Sequence, residues 1–132
     1  MAKKRVFVSS DWEKDIKYQH LLSAWNANPD FEFTCEDHSN WPPVNSEDES
    51  RIKAGISRRM SGASYLLVIV GKETSKSKYV TWEIEKAKEL KLKLVGVKID
   101  KEYTSPAALF NSGASWAMSF TQDAIIKALN SA

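Results

Sequence analysis

The amino-acid sequence predicts one small α/β domain, in which helices cover both faces of a parallel sheet. The chain has 132 residues, the usual size of a single domain. Strand-like and helix-like segments alternate from start to end, as they do in βαβ units with right-handed crossovers. The most continuous apolar run is short, which is typical of a strand buried on both faces. We therefore expect residues 1–132 to form one three-layer domain.

The alternating segments give four or five strands and their connecting helices. In order, they are a strand at 6–8, a helix at 14–28, a strand at 31–35, a helix at 46–60, a strand at 65–70, a helix at 79–90, a strand at 92–99, a helical turn at 106–110, a strand at 115–118 and a helix at 122–130.

The first four elements each carry a local signature. The apolar run at 6–8 is typical of a buried central strand, whereas residues 31–35 alternate apolar and polar side chains like an edge strand. Residues 46–49 form a capping-box pattern that begins a helix, and Gly62 ends it. The helix at 14–28 is predicted by apolar side chains at the spacing of one helical face: Tyr18, Leu21, Leu22 and Trp25.

The later elements follow the same logic. Residues 65–70 are the most continuous apolar run, and residues 92–99 form a second buried strand. Trp116 is assigned to the core beneath the C-terminal elements. The helix at 79–90 offers apolar side chains for packing: Trp82, Ile84, Ala87 and Leu90.

This pattern favours the flavodoxin-like strand order 2-1-3-4-5. In such sheets, ligands bind beyond the carboxyl ends of the strands, near the switch point beside the first strand. Three loops meet there: the Ser-Ser-Asp turn at residues 9–11, the loop that contains residues 37–38, and the loop after Val70.

Composition excludes several functional classes. Formal net charge is only +2, and the basic residues are interleaved with acidic ones, so we expect no nucleic-acid partner. No window approaches the roughly 20 apolar residues of a membrane span, and the start lacks a secretory apolar stretch. The single cysteine, Cys35, allows neither an internal disulfide nor a cysteine-based zinc site. We expect a cytoplasmic protein with no metal site and no membrane partner.

Common catalytic and nucleotide-binding motifs are missing from the sequence. It contains no GxGxxG, no GxxxxGK[ST] and no GxSxG. A response-regulator receiver would need an aspartate at the end of the third strand, where Val70 is instead followed by Gly71 and Lys72.

Three stretches nevertheless resemble TIR domains, and more narrowly the TIR-like proteins of Thoeris-type antiphage systems. Residues 5–9 (Arg-Val-Phe-Val-Ser) match the first TIR box, and residues 77–85 (Ser-Lys-Tyr-Val-Thr-Trp-Glu-Ile-Glu) match the third landmark. Residues 21–33, together with 37–39, form the most characteristic stretch. The resemblance extends from about Arg5 to Ile99.

The resemblance implies an enzyme that cleaves the nicotinamide–ribose bond of NAD, with no permanently bound cofactor. TIR enzymes place their essential glutamate in a Ser-x-Trp-Cys-x-x-Glu-like pattern, which puts Glu83 in the catalytic position here. Tyr79 and Val80 replace the Trp-Cys pair. A carboxylate suits this reaction because it stabilises the positive charge that develops on ribose. Glu83 could instead be an ordinary acid near a helix N-terminus, and Glu85 is its rival on a different helix face.

The resemblance also implies a set of substrate-binding residues around Glu83. Phe7 has an alternative interpretation as core, His38 as an ordinary loop residue and Trp82 as packing or interface. The family's arginine near Asp11 is missing. The implied set is Phe7, Ser9, Ser10, Asp11, Asp37, His38, Tyr79 and Trp82.

Three functions remain open on the sequence alone. The first is a glycohydrolase or ADP-ribosyl cyclase whose linear or cyclic product signals to a separate effector protein in antiphage defence. The second is a non-catalytic module that self-associates into a dimer or higher oligomer, and the third is a receptor that binds NAD or a related nucleotide intact.

Overall fold

The computed structural model of the chain describes residues 4–9, 16–25, 33–35, 55, 57–72, 74–100, 102–110 and 112–132. Short 3-10 turns at Thr74–Lys76 and Ala107–Leu109 lie in two of the connections, and residues 57–61 are helical. The main elements are β1 (Lys4–Ser9), α1 (Ile16–Trp25), β2 (Phe33–Cys35), β3 (Tyr65–Val70), α2 (Lys78–Glu89), β4 (Lys93–Lys98), β5 (Ser115–Ala117) and α3 (Gln122–Ser131).

The five strands form one parallel sheet in the order β2-β1-β3-β4-β5, which confirms the predicted fold class and strand order. β2 pairs with β1 alone, as predicted for an edge strand. β3 is buried along its whole length, as its unbroken apolar sequence predicts. Residues 57–61 agree with the end of the helix predicted at 46–60, and Gly62 follows as a turn; residues 46–54 lie outside the described residues.

Two apolar layers cover the faces of the sheet. Side chains of a strand alternate between faces, so Val6 and Val8 of β1 face the layer formed with α1 and α3, whereas Phe7 faces the layer formed with α2. Ser9 has the same parity as Phe7. The last side chain of β1 is therefore directed to the face that α2 covers.

The predicted apolar face of α1 is wrong at one position. Leu22 is buried, and Tyr18 and Trp25 pack against Phe120 with ring centroids 4.8 and 5.6 Å away. Leu21 is 44% exposed. It lies about 100° around the helix from Leu22, at the margin of a stripe that the core covers only along Tyr18, Leu22 and Trp25.

A close contact between β4 and β5 fixes the far side of the sheet. Gly96 pairs with Trp116, and a Cβ atom on Gly96 would lie 2.5 Å from a carbon of the indole ring. The ring therefore packs directly on the glycine backbone, and Trp116 is half-buried against the apolar layer beneath α2, not in a core with the C-terminal helix as the sequence predicted. None of the described helices is long and apolar enough to cross a membrane.

We expect Gly96→Ala to lower the free energy of unfolding by about 1–3 kcal/mol, because the added methyl group overlaps the Trp116 ring. In a Trp116→Leu background the same change should cost less than about 1 kcal/mol, since the overlapping ring is gone. Urea unfolding of the four variants measures both values. Equal effects of Gly96→Ala in the two backgrounds would contradict the contact as the cause.

Candidate active site

Ser9 ends β1 at the carboxyl edge of the sheet. It pairs in register with Val68 of β3, so its backbone is held within the sheet. The residue is fully buried although its side chain is polar. A buried hydroxyl needs a hydrogen-bond partner, and its partner must come from the layer that contains α2.

The loop after β3 determines where α2 begins. The Thr74 hydroxyl accepts a hydrogen bond from the Gly71 N–H at 2.8 Å and donates to the Ile69 carbonyl at 3.1 Å, which ties the loop to the end of β3. Ser77 then caps the helix, and its Oγ accepts from the Val80 N–H at 3.3 Å. Ser77 is the serine of the family motif, whereas the role of Thr74 was not predicted from the sequence.

The inner face of α2 brings Glu83 to β1. Val80, Ile84 and Ala87 are fully buried at helical spacing and pack against the sheet. Glu83 lies among them with only 5% of its surface exposed. Ser9 Oγ donates a hydrogen bond of 3.0 Å to Glu83 Oε1, which joins two residues 74 positions apart in the sequence.

The surroundings of Glu83 disfavour a negative charge. Burial raises the pKa of the carboxyl to about 8, and the hydrogen bond from Ser9 opposes part of that rise. Within the described part of the chain, Glu83 makes no ion pair and Oε2 has no hydrogen-bond partner. A buried carboxyl group with an oxygen that no described residue hydrogen-bonds is typical of a functional site.

The structure separates Glu83 from its alternative interpretations. The first turn of α2 contains no acidic residue, and Glu83 lies one turn further on, where the helix dipole has little effect. Glu85, the rival carboxylate, is exposed and lies 3.9 Å from the Lys88 ammonium. Its position on another helix face agrees with the prediction.

The other predicted site residues differ in how far the structure describes them. Phe7 is fully buried two residues before Ser9, on the same face of the sheet. Trp82 is half-buried against the same apolar layer. Tyr79 is described only by its place in α2. The contacts of these three residues with substrate stay predictions. The remaining four, Ser10, Asp11, Asp37 and His38, lie outside the described residues, and their roles stay predictions too.

An open cleft of about 390 Å³ lies beside β4 and β5. Lys98, Leu109 and Trp116 are among its lining residues, whereas Ser9 and Glu83 are not. We place the candidate site at Glu83, because none of the described residues that line this cleft carries a carboxyl group. Groups of three or more side chains suited to metal binding are absent from the described residues.

Comparisons with known proteins give a family and a shared fold. The family model described as the TIR-like domain of the Thoeris protein ThsB matches residues 7–104. No curated protein matches the sequence significantly.

Two solved structures share the fold at low sequence identity. The Clostridium botulinum CMP N-glycosidase BcmB is 14% identical, with a TM-score of 0.61, and the match covers 96% of this chain and 98% of that one. The TIR domains of the activated Roq1 resistosome, which recognises the pathogen effector XopQ, are 17% identical, with a TM-score of 0.51; that match covers 73% of this chain and 57% of that one.

We expect the stability of the protein to fall as pH rises through the window between the two pKa values of Glu83. The folded pKa of about 8 exceeds the ordinary value of 4.5, so the folded chain retains a proton that the unfolded chain has released. Glu83→Gln removes this effect. Near pH 8 the variant should therefore be more stable than the wild type by about 3–5 kcal/mol, whereas near pH 4 the two should be similar.

Urea unfolding at a series of pH values measures this difference. Glu85→Gln is the matched control, because it removes an exposed carboxylate from the same helix and should keep the wild-type pH dependence. A parallel pH dependence of wild type and Glu83→Gln would show that the Glu83 carboxyl titrates normally.

Proposed function

This chain belongs to the family of the TIR-like domains of the Thoeris protein ThsB, and we propose that it cleaves the nicotinamide–ribose bond of NAD. The observation that carries the proposal is the buried Glu83 carboxyl group, which accepts from Ser9 through one oxygen and has no described partner for the other. It lies at the carboxyl edge of the sheet, where ligands bind in folds of this kind.

The proposed chemistry needs a negative charge close to C1′ of the nicotinamide ribose. When the C1′–N bond breaks, its electron pair goes to the ring nitrogen and nicotinamide leaves as a neutral molecule, so no general acid is required. Positive charge then develops on the ribose. The Glu83 carboxylate, in a site with little water, stabilises that charge more strongly than a solvated carboxylate would.

The substrate itself favours the active form of Glu83. Burial keeps much of the free carboxyl group protonated at neutral pH. The oxidised nicotinamide ring carries a positive charge, and a positive charge beside a carboxylate lowers its pKa. Binding of NAD therefore ionises Glu83, and the proton leaves to solvent before the bond breaks.

The products follow from what attacks C1′ next. Water gives ADP-ribose and releases a proton, whereas an internal nucleophile of the ADP-ribosyl group gives a cyclic isomer. We propose that this product is a signal in antiphage defence, read by a separate effector protein in the cytoplasm. Self-association into a dimer or higher oligomer would let Asp37 and His38 complete the site of a neighbouring copy.

A related structure supports the reaction class without defining the substrate. BcmB is described as a CMP N-glycosidase, and such an enzyme also breaks a bond between ribose and a ring nitrogen. A non-catalytic module for self-assembly or nucleotide binding is the second candidate. It is favoured by the missing arginine near Asp11 and by Val80, which occupies a family motif position but is buried in the core.

We expect concentrated wild-type protein to release nicotinamide from NAD, and Glu83→Gln to lower the rate by about 100-fold or more, because the stabilising charge is gone. Glu85→Gln should retain wild-type activity, since this residue is exposed on another face of α2. Chromatography with mass detection measures nicotinamide and identifies the second product.

The same assay separates the candidates. Nicotinamide release by wild type and by Glu85→Gln, but not by Glu83→Gln, supports the catalytic function. Intact NAD with all three proteins at high concentration rejects catalysis and leaves the binding or assembly module; equal release by wild type and Glu83→Gln rejects Glu83 as the catalytic residue.

We expect kcat/KM for NAD to rise about tenfold per pH unit below about 8 and to level off above it, since this ratio reports ionisation in the free protein. The rise in kcat should end at lower pH, because the bound cation lowers the pKa of Glu83. Initial rates between pH 5.5 and 9.5 measure both profiles. A kcat/KM that is flat between pH 6 and 8 would contradict a buried, protonated carboxyl group in the free enzyme.

A further inference from the structure

The layer that receives the inner face of α2 is mostly apolar, with the half-buried Tyr103 packed against it, and Glu83 hydrogen-bonds to one described side chain. The apolar layer around it receives Phe7 from β1, Leu94 from β4 and Met60 from the helical residues 57–61, and none of these is charged. β3 contributes Leu66, Val68 and Val70, which are also apolar. Ser9 is the one described side chain that hydrogen-bonds to the carboxyl group.

We propose that Ser9 is a positioning residue of the reaction, whose hydroxyl holds Glu83 Oε1 so that Oε2 alone is presented to the substrate. This inference rests on the proposed function. It assigns Ser9 to Glu83 instead of to direct contact with NAD.

Both partners lie on elements that fix their geometry in advance. Ser9 is held in the sheet through its pairing with β3, and Glu83 is held by the buried side chains of Val80 and Ala87, one turn before and one turn after it along α2. A 3.0 Å bond between two such elements leaves the carboxyl group little freedom to rotate. Ser9 engages one oxygen, and the other, to which no described residue hydrogen-bonds, can accept from a ribose hydroxyl or face C1′.

The direction of the hydrogen bond also matters. Ser9 donates, and a donor favours the ionised form of its acceptor. Ser9 therefore orients the carboxylate and offsets part of the desolvation that opposes its charge. Losing the hydroxyl should affect the chemical step and its pH dependence more than the binding of NAD.

The test compares Ser9→Ala and Ser9→Thr with the wild type. Ser9→Ala should lower kcat about tenfold, the equivalent of one hydrogen bond, with KM changed less than about threefold. The pH at which kcat/KM levels off should move up by about one pH unit. Ser9→Thr keeps the hydroxyl and should return both quantities toward wild type.

Ser105→Ala is the matched control. Ser105 is also a buried serine, but it makes no hydrogen bond to Glu83 or to any other described residue, and it lines the cleft beside β4 and β5. It should keep the wild-type pH profile. Thermal unfolding confirms that each variant is folded. If threonine does not fit, Ser9→Cys replaces Ser9→Thr; its thiol is a weak donor, so the pH at which kcat/KM levels off should lie between those of wild type and Ser9→Ala.

A second measurement does not depend on activity. The carboxyl carbon of Glu83, labelled with ¹³C and assigned by its loss in Glu83→Gln, can be titrated by NMR in the free protein. Its midpoint should be higher in Ser9→Ala than in wild type and unchanged in Ser105→Ala. An unchanged midpoint in Ser9→Ala, or a folded Ser9→Ala with wild-type kcat, overturns the role of Ser9. If wild type leaves NAD intact, the proposed enzymatic function is rejected, and the NMR titration still decides whether Ser9 affects the pKa of Glu83.

Discussion

The desolvation of one carboxyl group is the interaction on which the site depends. An ionisable side chain placed in an apolar layer opposes folding, and the rest of the structure must hold it there. The apolar face of α2 does so, because Val80, Ile84 and Ala87 anchor the helix on the sheet around Glu83. The bonds of Thr74 and Ser77 then fix where that helix begins. The packing of α2, the cap at its N-terminus and the position of Glu83 therefore depend on one another.

Most of the fold could be predicted because it is encoded locally. Strand and helix periodicities predicted the elements, the edge position of β2 and the buried β3, and the alternation of strands with helices favoured the observed strand order. The error at Leu21 arose where four apolar residues suggested a wider face than the core covers. The bond from Ser9 to Glu83 was beyond the sequence, since alternation assigns Ser9 to a face of β1 but cannot say which turn of α2 lies opposite. The roles of residues 10–11 and 37–38 in the site remain predictions.

Family and fold contribute different information about this chain. The family match extends through residues 7–104 and so includes both Ser9 and Glu83. β5 and α3 lie beyond it, yet they complete the sheet and one apolar layer. The likeness to BcmB covers nearly the whole of both chains at 14% identity, which shows how little sequence this architecture requires. In the Gly96–Trp116 contact, Gly96 lies inside the matched region and Trp116 lies beyond it. The C-terminal elements therefore pack against the family core at a position where any side chain larger than that of glycine would overlap the indole ring.

The separation of 74 residues between Ser9 and Glu83 has a consequence for how the protein is made. Ser9 leaves the ribosome long before α2 is synthesised, and parallel strands join only after a crossover has formed between them. A nascent chain in which α2 has not yet packed on the sheet therefore carries Glu83 in water, with the acidity of an ordinary glutamate. The chemical character of this carboxyl group is a property of the tertiary structure, because it arises only when β1 and α2 are packed together.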